Sequence, residues 1–182
     1  MRRSVISYNI EGVSKNLETA AELLDEFKPS MLLLQETKLH HHEESYIGNK
    51  LGKGRPFWLN SPDLYADSFA DRLKMTKKDP IHGTGIILDK DTAGAMPEVY
   101  ENTGHRFQYV RLAGINYVNI YLPTSDTRTE GKEKLESVLS DLDRIVTPLA
   151  GEPVALIGDM NLSDKHTPEG KISSESFLRN TT

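Results

Sequence analysis

The chain has no cysteine. That excludes a disulfide scaffold, a zinc–thiolate site, a cysteine nucleophile and an iron–sulfur cluster. It fits an intracellular protein, cytoplasmic or nuclear. No apolar run approaches the ~18 residues that a membrane-spanning helix needs, so no membrane partner is expected. The opening segment MRRSVISYNI carries two arginines but no uninterrupted apolar core behind them, unlike a secretory signal. Positive charge is also scarce. Lys and Arg number 22 against 27 Asp and Glu, a formal net charge of −5. This argues against nucleic-acid binding through bulk positive charge. It leaves room for a local basic rim around an acidic, metal-holding centre. There is no internal repeat or low-complexity segment; His40–His42 is only a short histidine run.

What is present is a globular pattern. With 182 residues, 37% of them hydrophobic, the chain is long enough to bury its own core. We expect one domain spanning residues 1–182. Short apolar runs alternate with polar segments. Val5–Ile10 reads as a strand. Leu17, Ala20, Ala21, Leu24 and Phe27 fall on one face of a 3.6-residue period, which predicts a helix over Leu17–Phe27 with Asn16 as N-cap and Pro29 closing it. Met31–Leu34 reads as a buried strand, so the three elements form a parallel crossover unit. Thr37–His82 is polar, holds several Gly and Pro, and reads as loops with short helices or strands. Gly85–Leu88 is a further strand. Phe107–Leu112 and Ile115–Leu122 flank Ala113-Gly114 and predict a hairpin. A second amphipathic helix follows at Thr129–Val146, with Leu135, Val138, Leu139, Leu142 and Ile145 on its apolar face. Val154–Ile157 is the last strand, and no core-forming run follows Leu162.

Four of these runs end in polar residues that a plain turn does not require. They are Asn9 and Glu11; Gln35 and Glu36; Asn119 and Tyr121; and Asp159 and Asn161 after Gly158. Strand ends in α/β sheets are where ligands and catalytic groups gather. A carboxylate beside a buried strand is costly unless hydrogen-bonded or metal-bound. Two carboxylates with amide neighbours make an oxygen-rich cage suited to Mg²⁺, which takes one or two carboxylates plus water and phosphate oxygens. Each residue also has a structural reading: Asn9 and Asn161 as turn residues, Glu36 as a satisfied charge, Tyr121 as a strand aromatic.

The segments SYNIEG (Ser7–Gly12), LLLQETK (Leu32–Lys38), GTGIIL (Gly83–Leu88), VNIYLP (Val118–Pro123) and LIGDMN (Leu156–Asn161) resemble, in order, the successive motifs of the endonuclease/exonuclease/phosphatase superfamily. The style is closest to exonuclease III-type and non-LTR retrotransposon endonuclease domains. The resemblance runs from about Ser4 to Leu162. It implies a DNase I-like α/β/β/α sandwich that hydrolyses phosphodiesters with Mg²⁺, Mn²⁺ being an alternative, and DNA as the substrate partner. It makes Glu36 the metal-ligand glutamate, with Glu11 a second candidate near the metal. Asn9 would lie near metal and phosphate, Tyr121 would contact the scissile phosphate, and Asp159 would align or deprotonate the attacking water with Asn161 as its partner. Arg106 and Lys38 would approach the nucleic-acid backbone.

The superfamily pattern continues into further strands and a closing Ser-Asp-His. Ser163-Asp164-Lys165-His166 is similar, but its histidine is displaced by one position. The resemblance therefore implies a C-terminally truncated domain, or one completed by a partner or further segment. Tyr121, where phosphatase branches more often carry histidine, points to DNA cleavage of nicking or abasic-site type. A phosphatase, and a binding or regulatory module that keeps the fold without turnover, are the alternatives. Lys50, Lys53, Arg55, Arg72, Lys74, Lys77 and Lys78 are candidate phosphate contacts. Phe57 and Trp58 read as core in preference to a stacking wedge.

Overall fold

The computed structural model describes residues 4–40, 43–52, 55–60, 82–94, 98–101, 106–123 and 129–161. Among the described residues, eight strands form two sheets of four. The first holds β1 (Val5–Asn9), β2 (Met31–Gln35), β3 (Phe57–Asn60) and β4 (Thr84–Leu88), in the order β1-β2-β4-β3. The second holds β5 (Glu98–Glu101), β6 (Phe107–Leu112), β7 (Ile115–Tyr121) and β8 (Val154–Asp159), in the order β5-β6-β7-β8. Each sheet has one parallel pair at an edge, β1 with β2 and β7 with β8, and is antiparallel elsewhere.

The helices lie outside. They are α1 (Leu17–Phe27), α2 (Glu44–Gly52), the single turn α3 (Lys90–Ala93) and α4 (Thr129–Val146). Leu32, Leu34, Leu59 and Ile87 on the outer face of the first sheet pack with Ala20 and Leu24 of α1 and Ile47 and Leu51 of α2. Phe107, Val118 and Ile120 on the outer face of the second pack with Val138 and Leu142 of α4. Between the sheets lie Met31, Leu33, Ile86, Leu88, Val110 and Leu112. The layers are thus helix, sheet, sheet, helix, as expected of an α/β/β/α sandwich. β2 is buried at every position, which explains its unbroken apolar run.

Several strands run further than the apolar pattern. β2 takes in Gln35, β4 begins at Thr84 and β8 reaches Asp159. Polar side chains can end a strand without leaving its ladder, because the ladder is made of backbone. The polar stretch after Thr37 contains α2 and β3. Phe57 is buried beside α2, and Trp58 packs against the inter-sheet core, so both are core residues. The hairpin turn is Ala113-Gly114, with φ of 52° and 79°, the positive pair of a type I′ turn.

Asn16 stands at the expected N-cap position of α1, and its carbonyl accepts the first helical bond from Ala20. It makes no side-chain capping bond to the helix. Its Nδ2 instead donates to the carbonyls of Ile10 (2.8 Å) and Gly12 (3.3 Å). It ties the loop after β1 back on itself, a competing local use of asparagine. β5 and α3 had no expected counterpart; each has only four residues. Lys53, Arg72, Lys74, Lys77, Lys78 and His166 lie outside the described residues. Among the described residues, no helix is long and apolar enough to cross a membrane.

Candidate active site

Alternation along the strands explains how the polar residues meet. On β1 the inward side chains are Val5, Ser7 and Asn9; on β2 they are Met31, Leu33 and Gln35. On β7, Tyr117, Asn119 and Tyr121 face the same space, as do Ile157 and Asp159 on β8. Each strand passes from apolar to polar along this inner face, and the parallel pairs bring the polar ends together.

The centre of the cluster is Asn9. Its Nδ2 donates to Glu36 Oε1 at 2.9 Å and to Asp159 Oδ2 at 2.8 Å, joining the two sheets. The Tyr121 hydroxyl also donates to Glu36 Oε1, at 3.0 Å. Lys38 Nζ lies 2.7 Å from the other oxygen, Oε2. Asp159 Oδ1 accepts from the Asn161 backbone N–H at 3.0 Å, while Asn161 Nδ2 donates to the Leu122 carbonyl at 2.8 Å. Asn9, Glu36, Tyr121, Asp159, Asn161 and Lys38 therefore come together. Glu11 stands apart: it is exposed, and its backbone N–H donates to Asn9 Oδ1 at 3.2 Å. Asn9 thus holds the loop after β1 as well as the two carboxylates.

Arg106 is buried beneath the site and is not a solvated strand end. Its guanidinium lies 4.9 Å from the centre of the Tyr121 ring, and Nη1 donates to the Tyr121 carbonyl at 3.2 Å. Its cation–π contact and hydrogen bond both serve Tyr121. Of the other basic candidates, Lys50 lies over Tyr46 on α2, and Arg55 pairs with Asp25 of α1 at 3.7 Å. Both are on the helical side of the first sheet.

Sequence reasoning noted Gln35 and Asn119 as polar but did not join them. Gln35 Nε2 donates to Asn119 Oδ1 at 2.7 Å, and Asn119 Nδ2 donates to the carbonyls of Leu34 (3.0 Å) and Gly85 (3.1 Å). Both residues are almost fully buried. This staple lies between the sheets just behind the site: Gln35 precedes Glu36, and Asn119 is two residues from Tyr121.

The backbone at the site is unusual. Glu11, Glu36, Lys38 and Asn161 have φ of 49°, 53°, 50° and 46°, a left-handed conformation that costs a non-glycine residue roughly 1–3 kcal/mol. Hydrogen bonds on both sides hold the segment after β2. The N–H groups of Gly12 and Val13 donate to the carbonyls of Glu36 and Thr37, and those of Thr37 and Lys38 donate to Gly83 and His82. Strain fixed in this way is characteristic of sites where side-chain direction matters more than local comfort.

Burial favours the neutral acid at Glu36. The hydrogen bonds from Asn9, Lys38 and Tyr121, with the charge of Lys38, outweigh burial and hold the carboxyl below its ordinary value. Burial, followed by the hydrogen bond to Glu36 and its charge, pushes the Tyr121 phenol up to about 12, with Arg106 opposing. Burial also lowers Arg106, against the favourable influence of Tyr121 and Glu36. At neutral pH the site presents an ionised Glu36 and a neutral Tyr121 donor.

Among the described residues, no three His, Asp or Glu side chains converge as a complete metal cage. Two carboxylates, Glu36 and Asp159, are linked through Asn9. An incomplete set of oxygen donors suits a hard cation that keeps water or takes substrate oxygens. The Lys38 ammonium on Glu36 Oε2 shows that this oxygen accommodates a positive charge.

No protein-family model matches the chain, and no curated protein matches its sequence. Solved structures do. An AP endonuclease from Leishmania major aligns with a TM-score of 0.68 at 18% identity, over 90% of this chain and 56% of its own. An AP endonuclease from Archaeoglobus fulgidus aligns with a TM-score of 0.61 at 21% identity, over 99% of this chain and 64% of its own. A 3′ phosphatase from Neisseria, solved with a product DNA hairpin, aligns with a TM-score of 0.61 at 17% identity, over 90% of this chain and 60% of its own. The fold is DNase I-like. The chain spans about three-fifths of the length of these proteins.

Proposed function

We propose that this chain carries the phosphodiester-cleaving site of a divalent-cation-dependent DNA endonuclease of nicking or abasic-site type. The observation that carries this reading is the Asn9 amide shared between Glu36 and Asp159. Two carboxylates from different sheets, each with a defined donor, divide the work that hydrolysis at phosphorus requires. Glu36 is the residue that would hold Mg²⁺ or Mn²⁺. Such an ion would supply positive charge to the phosphoryl oxygens.

The chain's own groups do the rest. Asp159 orients a water and accepts its proton as the oxygen attacks phosphorus; the bond from phosphorus to the 3′ oxygen breaks, and that oxygen takes a proton from solvent, leaving a 3′-hydroxyl and a 5′-phosphate. Its place is held by Asn9 on one oxygen and the Asn161 N–H on the other. Tyr121, neutral at working pH, turns its one O–H from Glu36 toward the developing negative charge on the phosphate when substrate binds. Arg106 keeps the phenol ring in place from beneath. Asn161 closes the turn that presents Asp159.

The DNA assignment draws on fold neighbours that include AP endonucleases and a phosphatase solved with DNA. The test offers the purified chain three duplexes: intact supercoiled plasmid, a duplex with one abasic site, and one with a 3′-phosphate end. Each is incubated with Mg²⁺, with Mn²⁺ and with chelator. We expect metal-dependent cleavage at the abasic site. Asp159→Asn should lower turnover by about 10²–10⁴-fold, the usual worth of one acid–base group, with DNA binding nearly unchanged. Full activity in chelator would reject the metal role. Release of 3′-phosphate with intact strands would make the chain a phosphatase. DNA binding without turnover in every condition would favour the binding-module alternative.

A further inference from the structure

The two oxygens of Glu36 are held differently. Oε1 accepts from two neutral donors, Asn9 Nδ2 at 2.9 Å and Tyr121 OH at 3.0 Å, both on strands. Oε2 is paired with the ammonium of Lys38 at 2.7 Å. The Lys38 side chain is 36% exposed, against 18% for Glu36. Its backbone is fixed, with the N–H on His82 and φ at 50°, while its stem runs past Gly12. The base of this side chain is anchored, and its charged tip reaches the site from the solvent side.

We propose that Lys38 is an exchangeable counter-ion. It neutralises Glu36 Oε2 in the metal-free site, leaves that oxygen when a divalent cation binds there, and then contacts a phosphate of the DNA strand. This rests on the reading of Glu36 as a metal ligand. A monovalent ammonium and a divalent cation compete for the same oxygen, and like charges at contact distance repel. Oε1 keeps the Asn9 donor throughout and the Tyr121 donor until DNA binds, so Glu36 does not turn when the cations exchange. A lysine suits this role better than an arginine. Its ammonium is a compact point charge on a flexible stem, without a planar fork to grip a carboxylate. One lysine would then couple two events: metal binding frees a positive charge for DNA at the same edge of the site.

The test measures metal binding directly. Mn²⁺ is titrated into the full chain, its free signal followed by electron paramagnetic resonance at low salt, for the parent, Lys38→Met and Lys38→Arg. Removing the competitor should tighten Mn²⁺ binding about two- to fivefold, the range of one partly exposed ion pair. Lys38→Arg should stay at or below the parent affinity. Salt dependence of binding to a labelled phosphorothioate duplex gives the second readout. In Mn²⁺, Lys38→Met should lower the slope of log affinity against log salt by about 0.9, the loss of one phosphate contact on duplex DNA. In chelator, where Lys38 is engaged with Glu36, the change should be smaller.

Unchanged or weaker Mn²⁺ binding by Lys38→Met overturns the exchange while leaving Glu36 a ligand. An equal change of salt slope with and without Mn²⁺ also overturns it. Absence of Mn²⁺ binding in both parent and variant sinks the metal reading of Glu36 and the exchange with it. Should Lys38→Met fail to melt like the parent, Lys38→Gln takes its place under the same criteria.

Discussion

The space between the two sheets has two ends of opposite character. At one end, Met31, Leu33, Ile86, Leu88, Val110 and Leu112 form a dry core with Val5 and Ile157 at its border. At the other, the same inward faces carry Ser7, Asn9, Gln35, Asn119, Tyr121 and Asp159. β1, β2 and β8 contribute to both ends, and along them only the last one or two inward positions differ. The dry end supplies cohesion without direction, because hydrophobic burial is not directional. The polar end supplies direction: Asn9, the staple and Tyr121 set where each carboxylate lies. The lesson is a division of labour within one layer, with rigidity built by burial and then spent on aiming a few polar groups.

Gly158 belongs to both ends and should give the largest effect. A Cβ there would overlap the Ile120 carbonyl oxygen, and its φ is +150°. Gly158→Val should separate β8 from β7 and cost about 4 kcal/mol or more, at the limit of single substitutions. Chemical denaturation checks this. A parent-like midpoint would show that β8 contributes little to either end.

Leu33→Ala tests the dry end alone. Leu33 is fully buried, so its truncation should cost about 2–5 kcal/mol. In chain that remains folded, Mn²⁺ affinity should be unchanged. Loss of metal affinity at parent-like stability would break the separation between the two ends.

Asn119→Leu tests the polar end. It removes the Asn119 donor from the carbonyls of Leu34 and Gly85, and from Gln35 its shortest bond, leaving that amide only its longer ones to Ser7 and the Leu33 carbonyl; a buried group left unsatisfied costs roughly 1–3 kcal/mol. Beyond stability, it should loosen the register between Glu36 and Tyr121. Ultraviolet titration of the phenols reads this: the group near 12 should move down toward its ordinary value of 10.0. A variant that keeps that phenol in place would show that the staple serves cohesion only.

The smallest effects are titrations of the parent. Glu36 is held below its ordinary 4.5. Its contribution to stability is complete above that pH and is lost as pH falls through the lower, folded value. Tyr121 has the opposite sign. Its phenol is raised to about 12, so its contribution is complete below about pH 10 and lost as pH climbs toward 12. Melting temperature against pH should fall at both extremes, and Glu36→Gln should flatten the acid limb and reduce the alkaline one.

Much of this was legible in the residues. The periods of α1 and α4 are carried by long side chains at regular spacing, and their observed limits match the expected ones. The apolar runs marked the central strands because those are buried on both faces. Polar residues at strand ends marked Asn9, Glu36, Tyr121 and Asp159 as a group. What stayed hidden depends on partners far along the chain. The Gln35–Asn119 staple joins two residues that each read as ordinary strand-end amides. Lys38 was expected only to approach the nucleic-acid backbone, because nothing in QETK says that its tip turns back onto Glu36. The side-chain bonds of Asn16 were not legible because the same amide can serve a helix or a loop. β5 and α3 are too short for a period to emerge.

The hydrogen bond from Asn9 to Asp159 joins residues 150 positions apart. On a ribosome, the first partner is made long before the second, and nothing local brings them together. Contacts of such separation are among the last to form, because the intervening chain must already be organised. The shared amide is therefore a completion signal. A nascent or half-folded chain can hold α1, β1 and β2 and still have no paired carboxylates. On the proposed function, no phosphodiester-cleaving site exists until the two sheets have met.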